Sequence, residues 1–217
     1  EAPFITFGWS VKSSVELTNP VDLSVGGVYG HIFRRAFHIS MFIIPFIFFE
    51  FGESFADSLG YSLPEVVSIV ILVAIFGEAI RLKFEFTIFG QREYEAKQVS
   101  ALAWGGLAIG MVLLLAPIKQ YAYPLIFSLS FGDPFMGEIR RMGVETRGVM
   151  IYSIAFMLAI WLICWYLFAT PWWLAFIFAP ICVFAEMPRL RYIDDNATML
   201  LIPLAGILIL EPFIGLL

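Results

Sequence analysis

Three acidic motifs in this chain stand at the edges of apolar runs, where ionised groups are costly and are functional candidates by default. Asp194-Asp195-Asn196 precedes the run 197–217, Gly132-Asp133-Pro134 lies inside 121–136, and Glu78-x-x-Arg81 ends 64–82. Adjacent carboxylates beside an amide offer the hard oxygen ligands that Mg²⁺ prefers, above all when the metal also binds phosphates. The competing reading of Asp194, Asp195 and Asn196 is an N-cap for the last helix, which needs only one of the three. At Gly132-Asp133-Pro134, glycine permits close backbone approach and Pro134 disfavours an α conformation at Asp133. A helix break that projects the carboxylate is expected there, against the plainer reading of an ordinary turn.

Four further motifs carry charge. Glu78 and Arg81, at i and i+3, share a helix face and can pair, as can Arg92 and Glu95 in the segment that follows. Glu186 ends another apolar run and is placed to join the aspartates as a third carboxylate. Arg140-Arg141 either sets topology or holds polyphosphate through bidentate contacts. His31 and His38, seven apart, are too few for a metal site by themselves; His38 is a candidate donor to a phosphate.

The elements that must position these groups are membrane helices. The chain has 217 residues, 60% hydrophobic and 14% charged, with 23 Phe and a mean hydropathy of +0.88. A soluble domain of this size would have to expose large contiguous apolar patches. Net charge of −5 and the lack of a dense basic run exclude a polyanion-binding surface, so nucleic acid is not an expected partner. Cys164 and Cys182 both lie in apolar runs, as small hydrophobes rather than a disulfide framework.

With about 20 apolar residues needed per crossing, the spans read as 36–51, 64–82, 98–117, 121–136, 149–169, 171–187 and 197–217. The expectation is an all-α polytopic bundle of about seven segments, the fourth short or broken. An interfacial or extramembrane arm occupies 1–30 and an integral membrane catalytic-type domain 31–217. This division places Lys12, Arg34, Arg35, Arg81, Lys83, Arg92, Lys97, Arg140, Arg141, Arg147, Arg189 and Arg191 on one side, with only Lys119 opposite. The positive-inside rule assigns the first side, and the N-terminus, to the cytoplasm. Every polar motif above falls on that same side.

Taken together, Arg35-x-x-His38, Glu78-x-x-Arg81, Arg92-x-x-Glu95, Gly132-Asp133 before a basic patch, and Glu186…Asp194-Asp195-Asn196…Pro203 resemble the polyprenol-kinase group. That group comprises dolichol kinase, phytol kinase and CTP-dependent diacylglycerol kinase, with phosphatidate cytidylyltransferase more distant. The resemblance covers about residues 30–205. It implies transfer of the γ-phosphoryl group of CTP, with Mg²⁺, onto a polyprenol-like lipid alcohol at the cytoplasmic face, with membrane lipids around it and homo- or hetero-oligomers open. By the resemblance Asp133, Asp194 and Asp195 are catalytic and metal-binding, and Arg81, Arg140, Arg141 and Asn196 bind nucleotide phosphates. His38, Glu78, Arg92, Glu95 and Glu186 support them. The group's Lys-Lys-Ser/Thr-x-Glu-Gly stretch is replaced here by Gly143-Val144-Glu145-Thr146-Arg147-Gly148, which has no lysine. That departure keeps open a non-catalytic lipid-binding or accessory subunit. A cytidylyltransferase-like enzyme and a small transporter with buried carboxylates also stay open as readings of the same residues.

Overall fold

A computed structural model describes residues 24–188, 190 and 193–214. Residues 1–23 of the expected arm, with Lys12, and Arg189 and Arg191 of the basic side lie outside the described residues.

Helical runs begin and end where local chemistry dictates. Helix α1 (Gly27–Ser40) passes through a 3₁₀ turn, Met41–Ile43, into α2 (Ile44–Leu59). Pro45, which lacks an N–H, sits in the first turn of α2, where that loss is harmless. Gly60, at φ 76°, ends α2 in the left-handed conformation that glycine adopts freely. Helix α3 (Leu63–Lys83) opens with a capping box: the Ser62 N–H donates to Glu65 Oε2 at 2.7 Å. An extended loop with one 3₁₀ turn, Glu93–Lys97, leads to α4 (Ala101–Leu115), which Ser100 caps by accepting from the Ala103 N–H at 3.1 Å. The chain continues through α5 (Lys119–Phe127), a π-helical turn (Ser128–Gly132), α6 (Asp133–Arg141), α7 (Thr146–Phe168), α8 (Leu174–Glu186) and α9 (Asp195–Ile214).

Counted as continuous helical runs, with α1–α2 and α5–α6 one each, the described residues form seven. The protein is an all-α bundle. Four of its helical stretches, 27–59, 63–83, 146–168 and 195–213, are long and apolar enough to cross a membrane, and α4 and α8 are shorter apolar helices. The arm meets the bundle sooner than the sequence suggests: α1 already starts at Gly27, and the Val25 N–H donates to Gln91 O at 2.8 Å. The core lies where α9 packs between α4 and α8, with α7 on α8 and the α5–α6 run against α7 and α9. Buried Trp161 stacks on Phe178, their ring centroids 5.5 Å apart. Helix α3 packs on the outer side of α4 and is otherwise lined by exposed apolar side chains such as Val70, Val73 and Phe76.

The fourth segment corrects an expectation. Asp133 is helical, with φ −61° and ψ −48°, and the helix does not break at Gly-Asp-Pro. Pro134 in a regular α-helix would clash with the carbonyl four residues back. The wide π turn immediately before it relieves that clash and keeps the run helical. Such turns recur at functional sites.

Candidate functional site

Three carboxylates from three helices meet at one end of the bundle. Asp133 is the first residue of α6, Glu186 the last of α8 and Asp195 the first of α9. Each contributes an oxygen such that all three lie within 4.8 Å of one another. Asp195 stands at a helix N-terminus, where the backbone dipole favours negative charge, whereas Asp133 lies within the continuous α5–α6 run. Glu186 stands at a C-terminus, where the dipole does not favour it. Arg140 offsets this: both of its terminal nitrogens donate to the two oxygens of Glu186, whose side chain is 1% exposed.

Close packing fixes Asp133 in this group. A Cβ on Gly132 would lie 1.9 Å from Met157 Cε and 3.1 Å from Met199 Cε, so glycine lets the π turn sit this near α7 and α9 without displacing either methionine. On α1, residues 34 and 38 are four apart and share a face. His38 Nδ1 comes to 3.6 Å from Asp133 Oδ2, while Arg34 donates to Glu95 Oε1 at 2.7 Å. Arg34 is also among the positive charges that act on Asp194. His38 Nε2 and Asn196 Oδ1 are buried polar atoms with no hydrogen-bond partner among the described residues.

The aspartate pair divides its work. Asp194 caps α9: its Oδ1 accepts from the Asn196 N–H at 3.1 Å and its carbonyl from the Ala197 N–H at 3.1 Å. It does not belong to the three-carboxylate group; Asp195 does, and Glu186 takes the third place. Burial, and then the adjoining Asp195, push the Asp194 carboxyl up from the usual aspartate range. Asn196 is turned into the bundle, its Nδ2 donating to Ala101 O at 3.4 Å, and it ties α9 to the start of α4.

Arg81 is not placed to bind phosphate. It is 2% exposed and its donors are consumed. Nε and Nη2 reach the two oxygens of Glu78 at 2.8 and 2.7 Å, and the carbonyls of Phe86, Glu95 and Gln98 accept at 3.0, 2.6 and 2.7 Å. Glu78 also accepts from the Ser100 N–H at 2.6 Å. The pair is a strut that folds the loop from 84 to 100 against α3. Glu95 is likewise buried and engaged, by Arg34 and by its own loop's Arg92 N–H at 3.3 Å. Arg92 extends toward Tyr94 OH, within electrostatic range of Asp195. Arg141 pairs with Glu138 on the surface of α6.

Sequence reasoning ranked Glu186 as a helper and left Arg34 out of the site. The signal for Glu186 was a lone carboxylate closing an otherwise apolar helix. For Arg34 it was the four-residue spacing to His38. Compared with known proteins, the chain matches no family model, no curated protein and no solved structure.

The chemistry of the donor set suits Mg²⁺. Three carboxylates supply hard oxygens within 4.8 Å of one another; with bonds of about 2.1 Å, adjacent ligands of an octahedral ion are about 3.0 Å apart and opposite ones about 4.2 Å, so the group would draw together by up to about 2 Å to close on the ion. Each carboxylate oxygen has two acceptor sites, so Glu186 retains capacity beside Arg140. One fixed arginine against three clustered carboxylates leaves a charge imbalance that a divalent cation would correct. The residues fit.

Proposed function

We propose that this chain is a membrane lipid-alcohol kinase whose reaction centre is the Asp133/Glu186/Asp195 group. The observation that carries the reading is the convergence of three carboxylates beside an arginine, at the end of a bundle able to cross a membrane. CTP as donor and a polyprenol-like acceptor come from the resemblance of the ordered motifs to the polyprenol-kinase group. Placing this face in the cytoplasm follows from the one-sided basic residues.

Asp133, Asp195 and Glu186 would hold Mg²⁺, which when bound supplies charge neutralisation for the nucleotide phosphates. Arg140, held by Glu186 yet 40% exposed, presents its remaining N–H groups to the transferring phosphoryl. The lipid hydroxyl oxygen forms the new bond to the γ-phosphorus as the bond to CDP breaks, and Asp133 takes the hydroxyl proton. His38, 3.6 Å from Asp133, orients that carboxylate and shares the proton afterwards. Asp194 secures the N-terminus of α9, and with it the position of Asp195. Phosphoryl transfer asks for positioning and charge stabilisation more than covalent chemistry, which this set can supply.

The test is transfer of label from γ-labelled CTP to a polyprenol in reconstituted vesicles. Asp133→Asn and Asp195→Asn are expected to abolish it with the fold intact; undiminished transfer by either would sink the site. An accessory, non-catalytic subunit is the second reading. It is favoured by the turn after α6, where Gly143 (φ 76°), Val144 and Glu145 offer no cation. A native state that binds nucleotide must gain stability, so Mg²⁺–CTP that leaves the melting temperature unchanged would favour that second reading.

A further inference from the structure

Helix α1 carries a further cation, Arg35, that the carboxylate site does not use. His31 and Arg35, four apart, share a face, and with Val28 and Ile32 they wall an open groove of about 420 Å³ against Pro134 and Arg141 of α6. Arg35 spends one donor on Pro134 O at 2.7 Å; its Nε and Nη2 have no partner among the described residues, and it makes no ion pair there. Gly137 makes room for it. A Cβ at that position would lie 2.7 Å from Arg35 Nη2, so the bare backbone of α6 is what seats the guanidinium.

The positive charges of Arg35, Arg141, Arg34 and Arg92 act on His31, as does the carboxylate of Glu138. The groove holds one acid, Glu138, already matched by Arg141. Its net charge is therefore positive, with Arg35 uncompensated. Its rim is apolar: Val28 is 57% exposed and Ile32 56%, with Tyr29 and Phe33 exposed beside them. Helix α1 opens the 27–59 run, which at about 1.5 Å per residue is longer than a hydrocarbon core of about 30 Å, so its first turns have room to stand where headgroups meet acyl chains.

We propose that the α1–α6 groove binds the phosphate headgroup of an anionic membrane phospholipid, at a site beside the carboxylate centre and separate from it. Arg35 and Arg141 take the phosphate oxygens, a task to which the planar guanidinium is suited. Val28 and Ile32 take the glycerol and first methylenes. A soluble nucleotide would satisfy the arginines but bring no glycerol or acyl carbons to Val28 and Ile32, which is why a lipid source is favoured over a nucleotide.

The experiment titrates the full chain in phosphatidylcholine nanodiscs with short-chain phosphatidylglycerol, reading bound lipid by native mass spectrometry and thermal stability. CTP and inorganic phosphate form separate arms. Phosphatidylglycerol is expected to bind at least tenfold more tightly than phosphatidylcholine of the same chain length. Arg35→Gln should weaken it about tenfold, the loss of one charge-assisted contact. Glu138→Gln, on the exposed face of α6, should strengthen it severalfold and decides the matter if the arginine variant does not fold. Asp195→Asn should leave the lipid preference in place, which separates this site from the proposed reaction centre. Equal binding of the two lipids would overturn the proposal, as would unchanged binding in both the Arg35 and Glu138 variants. Loss of CTP binding rather than lipid binding in Arg35→Gln would reassign the groove to the nucleotide.

Discussion

Replacing Arg81 with alanine distinguishes a strut from a phosphate ligand. The side chain is 2% exposed and makes two contacts to Glu78 and three to loop carbonyls. Its removal strands the carboxylate of Glu78, itself only 12% exposed, and leaves the carbonyls of Phe86, Glu95 and Gln98 short of a donor. Breaking a buried ion pair from one side costs about 3–5 kcal/mol. The freed carbonyls can recover water because the loop is at the surface, so the lower half of that range, about 3–4 kcal/mol, is the better figure. In a chain of this length each kcal/mol corresponds to about 2–4 °C, so the melting temperature should fall by roughly 6–16 °C. Lysine should not rescue it, since one ammonium cannot span a carboxylate and three carbonyls. Adding Glu78→Gln to Arg81→Ala should recover part of the loss by removing the stranded charge. The assay is thermal unfolding of purified protein in one detergent, with phosphoryl transfer measured below the transition. A variant that melts like the parent yet has lost transfer would refute the strut and return Arg81 to the phosphates.

Other outcomes follow from the same geometry. Gly132→Ala places a methyl 1.9 Å from Met157 Cε; overpacking of this kind costs about 1–3 kcal/mol, read by thermal unfolding. Trp161→Phe removes the Nε1 donor to Ser128 Oγ at 3.0 Å while keeping a ring against Phe178, for an expected loss of about 1–3 kcal/mol in the same assay. Asp195→Asn should leave stability unchanged or raise it, because it removes like-charge repulsion in the carboxylate group, while Mg²⁺-dependent stabilisation disappears. Buried Cys164 and Cys182 should resist a bulky maleimide until the bundle is unfolded, as followed by mass shift.

Much of the bundle was legible from residue types alone. Apolar runs of crossing length define helices through backbone hydrogen bonding, a short-range effect, while the boundaries at Gly60, the Ser62–Glu65 capping box and Ser100 came with the structure. The Glu78–Arg81 pair was legible for the same reason, since a three-residue spacing on a helix fixes proximity without reference to the rest of the chain. The N-cap at Asp194 likewise follows from position relative to Ala197.

What the pairs are for was decided only by tertiary contacts. Nothing local says that Arg81 is enclosed by a loop ending 17 residues later, or that Arg140 reaches Glu186 across 46 residues. Nor does local sequence choose between Asp194 and Asp195. Adjacent residues at the start of a helix diverge: the cap turns back to the backbone, and the first helical residue projects outward toward α6 and α8. Pro134 misled in the same way, because local sterics favour a break while packing of Gly132 against Met157 and Met199 favours a π turn that keeps the helix continuous. The sequence determined by itself which helices form and which charges share a helix face. Which carboxylates meet was left to the packing of α6, α8 and α9, because their convergence depends on interhelical distances that no spacing along the chain encodes.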